Sequence, residues 1–112
     1  MPRPHKCRFV GGMPTVSRFK PAGVPGQKLA TVELHLDELE ALRLADLEGL
    51  YQEQASQTMG ISRATFGRVL ERAHQKVADA IINGKMLLVQ GGNVATPVMR
   101  QFNCGAYEDS EF

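Results

Sequence analysis

The sequence predicts an α+β fold, mainly α: a three-helix helix-turn-helix core with short flanking β-strands and a basic N-terminal arm. Three observations carry this. Residues 51–72 read as a helix, a tight turn at Gly60, and a second helix that starts at Ser62 and is studded with arginines. Segments 31–36 and 85–90 have strand character on either side of the helices. The first 28 residues hold six Lys/Arg, no acid and five prolines, a composition that excludes a regular helix. The chain divides into an arm (1–28), a helix-turn-helix unit with its strands (29–92) and a tail (93–112).

Along the arm, short extended pieces are expected at Arg8–Val10 and Thr15–Phe19. The arm as a whole is expected to order fully only against a partner. Thr31–Leu36 alternates apolar with polar residues, the signature of a half-buried strand. Asp37 then reads as an N-cap with Glu40 three residues on, as in a capping box, and Leu36 packing on Ala41. That helix should run from about Asp37 to Asp46, bury Leu39, Leu42 and Leu44, and break at Gly49. The second helix spans about Gln52 to Met59, with Ala55 and Met59 inside.

Ser62 caps the third helix, and Ile61 and Phe66 occupy the positions of a hydrophobic staple. Phe66, Val69, Leu70, Ala73, Val77, Ala80 and Ile81 follow a helical period up to a stop at Gly84. A strand at 85–90, a turn at Gly91-Gly92-Asn93, a short strand within Thr96–Phe102 and an acidic tail complete the chain. The two strands flanking the helices can pair with each other or across a dimer interface, and the apolar Met86–Val89 run favours a homodimer.

A 112-residue chain with 43% hydrophobic and 22% charged residues fits one soluble domain. No apolar run approaches the roughly 20 residues of a membrane span, and the basic N-terminus lacks the apolar core of a secretory signal. A cytoplasmic protein is therefore expected. Cys7 and Cys104 stand near opposite ends, too few for the disulfide framework of a small secreted domain, so reduced thiols are expected.

The net charge of +1 conceals strong polarisation. Residues 29–60 carry seven acids against one Arg, whereas residues 61–85 carry five basic groups against two acidic ones. Positive charge thus lies in the arm and the third helix, where double-stranded DNA would require it.

Gly60 tolerates the positive φ of a tight inter-helix turn, and Ser56, four residues before it, is small enough for a close helix crossing. Advancing about 100° per residue from an inward Phe66, residues Ala64, Arg68 and Glu71 face away from the core. Arg63 and Gly67 lie on one flank, Thr65 and Arg72 on the other. Small residues beside arginines suit a helix pressed into the major groove. Arg63 and Arg68 can donate to guanine edges. Arg72 and Lys76 are placed to touch phosphate. Gln52 and Ser62 stand at helix N-termini, which favour phosphate oxygens. In the arm, Arg3, Lys6, Arg8, Arg18 and Lys20 are candidates for following a minor groove beside the reading helix.

The run Leu36–Ala55, followed by Met59-Gly-Ile-Ser-Arg-Ala-Thr-Phe-Gly-Arg68, resembles uncharacterised protein family 0251, small prokaryotic proteins predicted to bind DNA. The opening Met-Pro-Arg-Pro, Phe19–Pro25, Val77-Ala-Asp-Ala and Gly84-Lys match as well, so the resemblance covers roughly residues 1–92. It implies a helix-turn-helix related to region 4 of sigma factors, and with it a contact to RNA polymerase. Some relatives carry a cysteine-rich C-terminus, of which Phe102-Asn-Cys-Gly retains one cysteine.

The expected function is sequence-specific DNA binding in transcriptional regulation. The alternatives are an adaptor of the transcription machinery and a metal- or redox-responsive regulator using Cys7 and Cys104. Neither cysteine has a partner two to four residues away, so no metal site or cofactor is expected. No nucleophile–base spacing or phosphate-binding loop is present, so no enzyme is expected.

Overall fold

A computed structural model describes residues 8–92 and 94–95. Three helices and a small three-stranded sheet form an α+β fold that is mainly α. The chain order is β1 (Arg8–Phe9), β2 (Arg18–Phe19), a 3₁₀ turn (Gly26–Lys28), β3 (Thr31–Leu34), α1 (Leu36–Leu42), a π turn (Arg43–Leu47), α2 (Gln52–Met59), α3 (Arg63–Asn83), β4 (Met86–Val89) and β5 (Val94–Ala95).

The strands on either side of the helices pair with each other within the chain. β3 and β4 run parallel, Val32 opposite Leu87 and Leu34 opposite Val89. A parallel pair needs a long crossover, and here all three helices supply it. β2 adds antiparallel to the other edge of β4, Phe19 opposite Leu87, so the sheet order is β2-β4-β3. β4 is therefore the central strand, and Met86–Val89 offers no free edge to another molecule. β1 pairs in parallel with β5 as a separate ribbon.

From Arg8 onward the arm is part of the fold, pairing through β1 and β2, whereas it was expected to order only against a partner; residues 1–7 lie outside the described residues. Its extended pieces were expected close to where β1 and β2 lie. The strand expected within Thr96–Phe102 and the acidic tail fall outside the described residues.

Two adjoining cores hold the layers together. One gathers Ala41, Leu44, Ala55, Met59, Phe66, Val69 and Leu70 between the helices. The other joins Ala73 of α3 to Leu34 and Val89 of the sheet, Leu36 of α1, and Val10 of the arm. Phe66, Met59 and Val69 are fully buried, as the helical period requires. Leu39, Leu42 and Val77 are half-buried. Ile81 departs from the expectation altogether: it is 73% exposed, because nothing among the described residues covers that side of the last turns of α3.

Local signals at α2 and α3 act as expected. Gly60 adopts the left-handed conformation (φ 72°, ψ 31°) and ends α2. The Ser62 Oγ accepts from the Thr65 N–H at 3.1 Å, capping α3. Gly84 closes α3 at φ 64°.

α1 and its π turn together span Leu36–Leu47, close to the expected Asp37–Asp46, with Gly49 (φ 76°) after them; the cap and the last turn differ. Its N-cap is His35, and Glu38 at the third helical position accepts from the His35 N–H at 2.9 Å. Asp37 lies two residues past the cap, at the second helical position, and its side chain is held by Arg8 of the arm. The Leu36–Ala41 staple fails with it, since Leu36 is already the first helical residue and packs in the sheet-side core. Past Leu42 the helix widens into the π turn, where the Glu48 N–H reaches the Arg43 carbonyl at 2.8 Å.

Candidate functional site

The N-terminal half of α3 projects from the helical core on a rigid base. Phe66, Val69 and Leu70 anchor its inner side, and α2 crosses it through Ala55, Ser56 and Met59, all buried. Ser56 also donates to the Glu53 carbonyl at 2.9 Å, which keeps its hydroxyl satisfied inside the crossing. The turn between the helices is clamped from the arm, because the Phe9 ring lies against Gly60, 3.0 Å from where a Cβ would stand.

The outward face matches the helical geometry. Ala64, Arg68 and Glu71 are exposed, as are Ser62, Arg63 and Arg72, while Thr65 and Gly67 are half-buried. The Thr65 hydroxyl accepts from the Ser62 hydroxyl at 2.9 Å and from Arg68 Nη2 at 3.3 Å. Arg68 is thereby steadied while its other donors have no partner among the described residues. Gln52, exposed at the start of α2, lays its Oε1 over Gly67, 3.5 Å from a Cβ built there.

That distance is an ordinary contact, so Gly67 is not required by packing. Gly67→Ala is therefore expected to stabilise the fold by about 1 kcal/mol through helix propensity. Thermal unfolding should show it as a melting temperature raised by roughly 4–8 °C. A lower melting temperature would contradict this placement of Gln52.

The cations divide into two sets. One set holds the structure together through acids of α1 and its neighbours. Glu38, only 1% exposed, receives Lys76 Nζ at 2.7 Å and Arg72 Nε at 3.5 Å. Burial pushes the Glu38 carboxyl up, but the Lys76 hydrogen bond and the His35 N–H outweigh it, and its pKa is lowered. Asp37 holds Arg8. Glu40 takes Arg43 at 2.7 Å and the Gly11 N–H at 2.9 Å. These acids read in the sequence only as helix-start charges; their distant partners make α1 the junction of arm and α3.

The other set has no acidic partner among the described residues: Arg18, Lys20, Lys28, Arg63 and Arg68. They do not form one patch. Lys20 lies beside Gly26 and Met86, next to the C-terminal end of α3. Arg63 starts that helix, 21 residues long and so about 31 Å from end to end. Arg18 and Lys20 thus sit at the opposite end of α3 from Arg63, not beside it as the minor-groove expectation had them. Arg3, Lys6, Cys7 and Cys104 lie outside the described residues. Among those described, no group of three or more His, Cys, Asp or Glu is placed to hold a metal ion, and no helix is long and apolar enough to cross a membrane.

Comparison with known proteins gives the chain its kin. A relative from Prosthecochloris aestuarii is 58% identical over 92 residues, covering 82% of this chain and 59% of its own length. One from Thermoanaerobacter pseudethanolicus is 56% identical over 93 residues, 83% of this chain and 79% of the relative. One from Moorella thermoacetica is 50% identical over 107 residues, 94% of this chain and 72% of the relative. All three carry the name UPF0251 protein. No solved structure matches the chain. The family model described as "Protein of unknown function DUF134" matches residues 1–97, and the chain belongs to that family.

Proposed function

We propose that this chain binds duplex DNA sequence-specifically as a cytoplasmic transcriptional regulator, using α2, the Gly60 turn and α3 as a helix-turn-helix. The observation that carries the reading is the exposed start of α3. Arg63 and Arg68 are free of acids there, while the arginine and lysine further along the same helix are spent on Glu38. Ala64 and Gly67 keep the surface between them low, so the backbone can enter a groove about 12 Å wide. Arg68 approaches base edges already steadied by Thr65. Gln52 and the amide end of α3 at Ser62 contribute phosphate contacts. Arg72 and Lys76 become secondary contributors, because reaching phosphate means releasing Glu38. A likeness to region 4 of sigma factors and a contact with RNA polymerase belong to this reading, as does a homodimer on a paired site.

Binding of labelled duplex at about 0.15 M salt tests it. Arg63→Ala and Arg68→Ala are each expected to weaken binding to a preferred site by roughly 5- to 150-fold, the range of about 1–3 kcal/mol per base contact. Melting temperatures should stay unchanged, since both side chains are exposed. Equal affinity of all three proteins would sink the proposal.

A cleft of about 890 Å³ between residues 11–14 and 39–47, lined by Met13, Leu39, Leu42 and Leu47, favours a second reading as a protein adaptor. Neither arginine lines it, so on that reading the same substitutions leave function intact.

A further inference from the structure

We propose that the chain forms a two-fold dimer in which the last turns of α3 cover the open end of the partner's sheet above Phe19. This extends the functional reading by locating the dimer surface, and it moves that surface away from the strand edges expected from sequence.

The helix-facing side of the sheet follows from register. Leu34 and Val89 pack with Ala73 of α3, and Leu87, two residues before Val89, packs against the same core. Phe19 and Val32 both stand opposite Leu87, so Phe19 points to the side on which α3 lies. Yet Phe19 is 52% exposed: α3 lies over β3 and β4 and leaves the sheet uncovered at β2. On the same chain, α3 ends in an apolar surface that no strand among the described residues covers. Ile81 and Ile82 are 73% and 79% exposed, and exposed Ala78 lies one turn before Ile82.

An uncovered sheet and an uncovered helix end on one molecule are complementary to each other, which points to a second copy rather than an unrelated protein. A two-fold axis makes the contact twice. Each patch then needs to bury only about 400 Å² to reach the roughly 800 Å² per partner of a standard interface. Nearby charge does not oppose it: Asp79 is occupied by Lys85 and Asn83, and Arg18 and Lys20 lie on the other face of β2.

The test is the solution mass of the full chain at tens of micromolar, with no DNA present. Wild type is expected at twice the 12.3 kDa chain mass. Ile82→Glu and Phe19→Lys, both at exposed positions, should each be folded monomers by circular dichroism. Mixed together they should regain the doubled mass, since one of the two contacts then pairs Glu with Lys and the other keeps Ile on Phe. A monomeric wild type, dimers that survive either substitution, or variants that stay monomeric on mixing would each overturn the proposal. So would a monomer whose melting temperature falls on Ile82→Glu, which would assign the patch to residues of the same chain. None of these results bears on whether Arg63 and Arg68 read DNA.

Discussion

Replacing Glu38 with Ala is expected to destabilise the protein by about 3 kcal/mol, the low end for breaking a buried ion pair. The carboxylate is buried and holds three donors at once: Lys76, Arg72 and the His35 N–H. Lys76 and Arg72 are partly exposed and can turn to water, which keeps the loss from being larger. Glu38→Gln retains an acceptor for the His35 N–H and should cost less than half as much.

The same group sets an acid limit. Its pKa is lowered in the fold, whereas in the unfolded chain it lies at about 4.3. The unfolded state therefore binds the proton first, so the stabilisation is complete above about pH 4.3 and fades as pH falls through the lowered folded value. Chemical denaturation at several pH values should show wild-type stability dropping across that window and Glu38→Gln dropping less. Parallel curves would show that Glu38 does not carry the acid sensitivity.

Gly60→Ala is the second large effect, about 2 kcal/mol or more. A residue with a Cβ costs roughly 1–2 kcal/mol in the left-handed region. Here the added atom would also stand 3.0 Å from Phe9 Cδ2, so the β1 ribbon must shift to admit it. The two contributions separate experimentally. Phe9→Ala should remove the clash, so the double variant should lose less than the sum of the single losses. Strict additivity in denaturant titrations would mean that Phe9 does not seat on the turn.

Local chemistry made much of this fold readable. α2, the Gly60 turn, the Ser62 cap and the Gly84 stop each depend on residues within one helical turn, and each stands where the sequence places it. Partners far along the chain did not announce themselves. Asp37 reads as a cap until Arg8, 29 residues earlier, takes its side chain. Lys76 reads as a phosphate ligand until Glu38, 38 residues earlier, holds it. The apolar period of α3 rightly marks one side of a helix, but only the sheet's extent decides that Ile81 stays uncovered. For the candidate site the same division holds: the exposed face of α3 follows from helical geometry, while the sorting of its cations required the fold.

The most direct measurement is selection of bound duplexes from a random pool at about 0.15 M salt, with wild type and the Arg63→Ala/Arg68→Ala double variant in parallel. That salt keeps phosphate contacts alone from passing as recognition. Enrichment of one roughly palindromic site by wild type, and its loss in the double variant, is the result predicted. No enriched site, or the same site enriched equally by both proteins, would contradict the assignment of α3 as a reading helix.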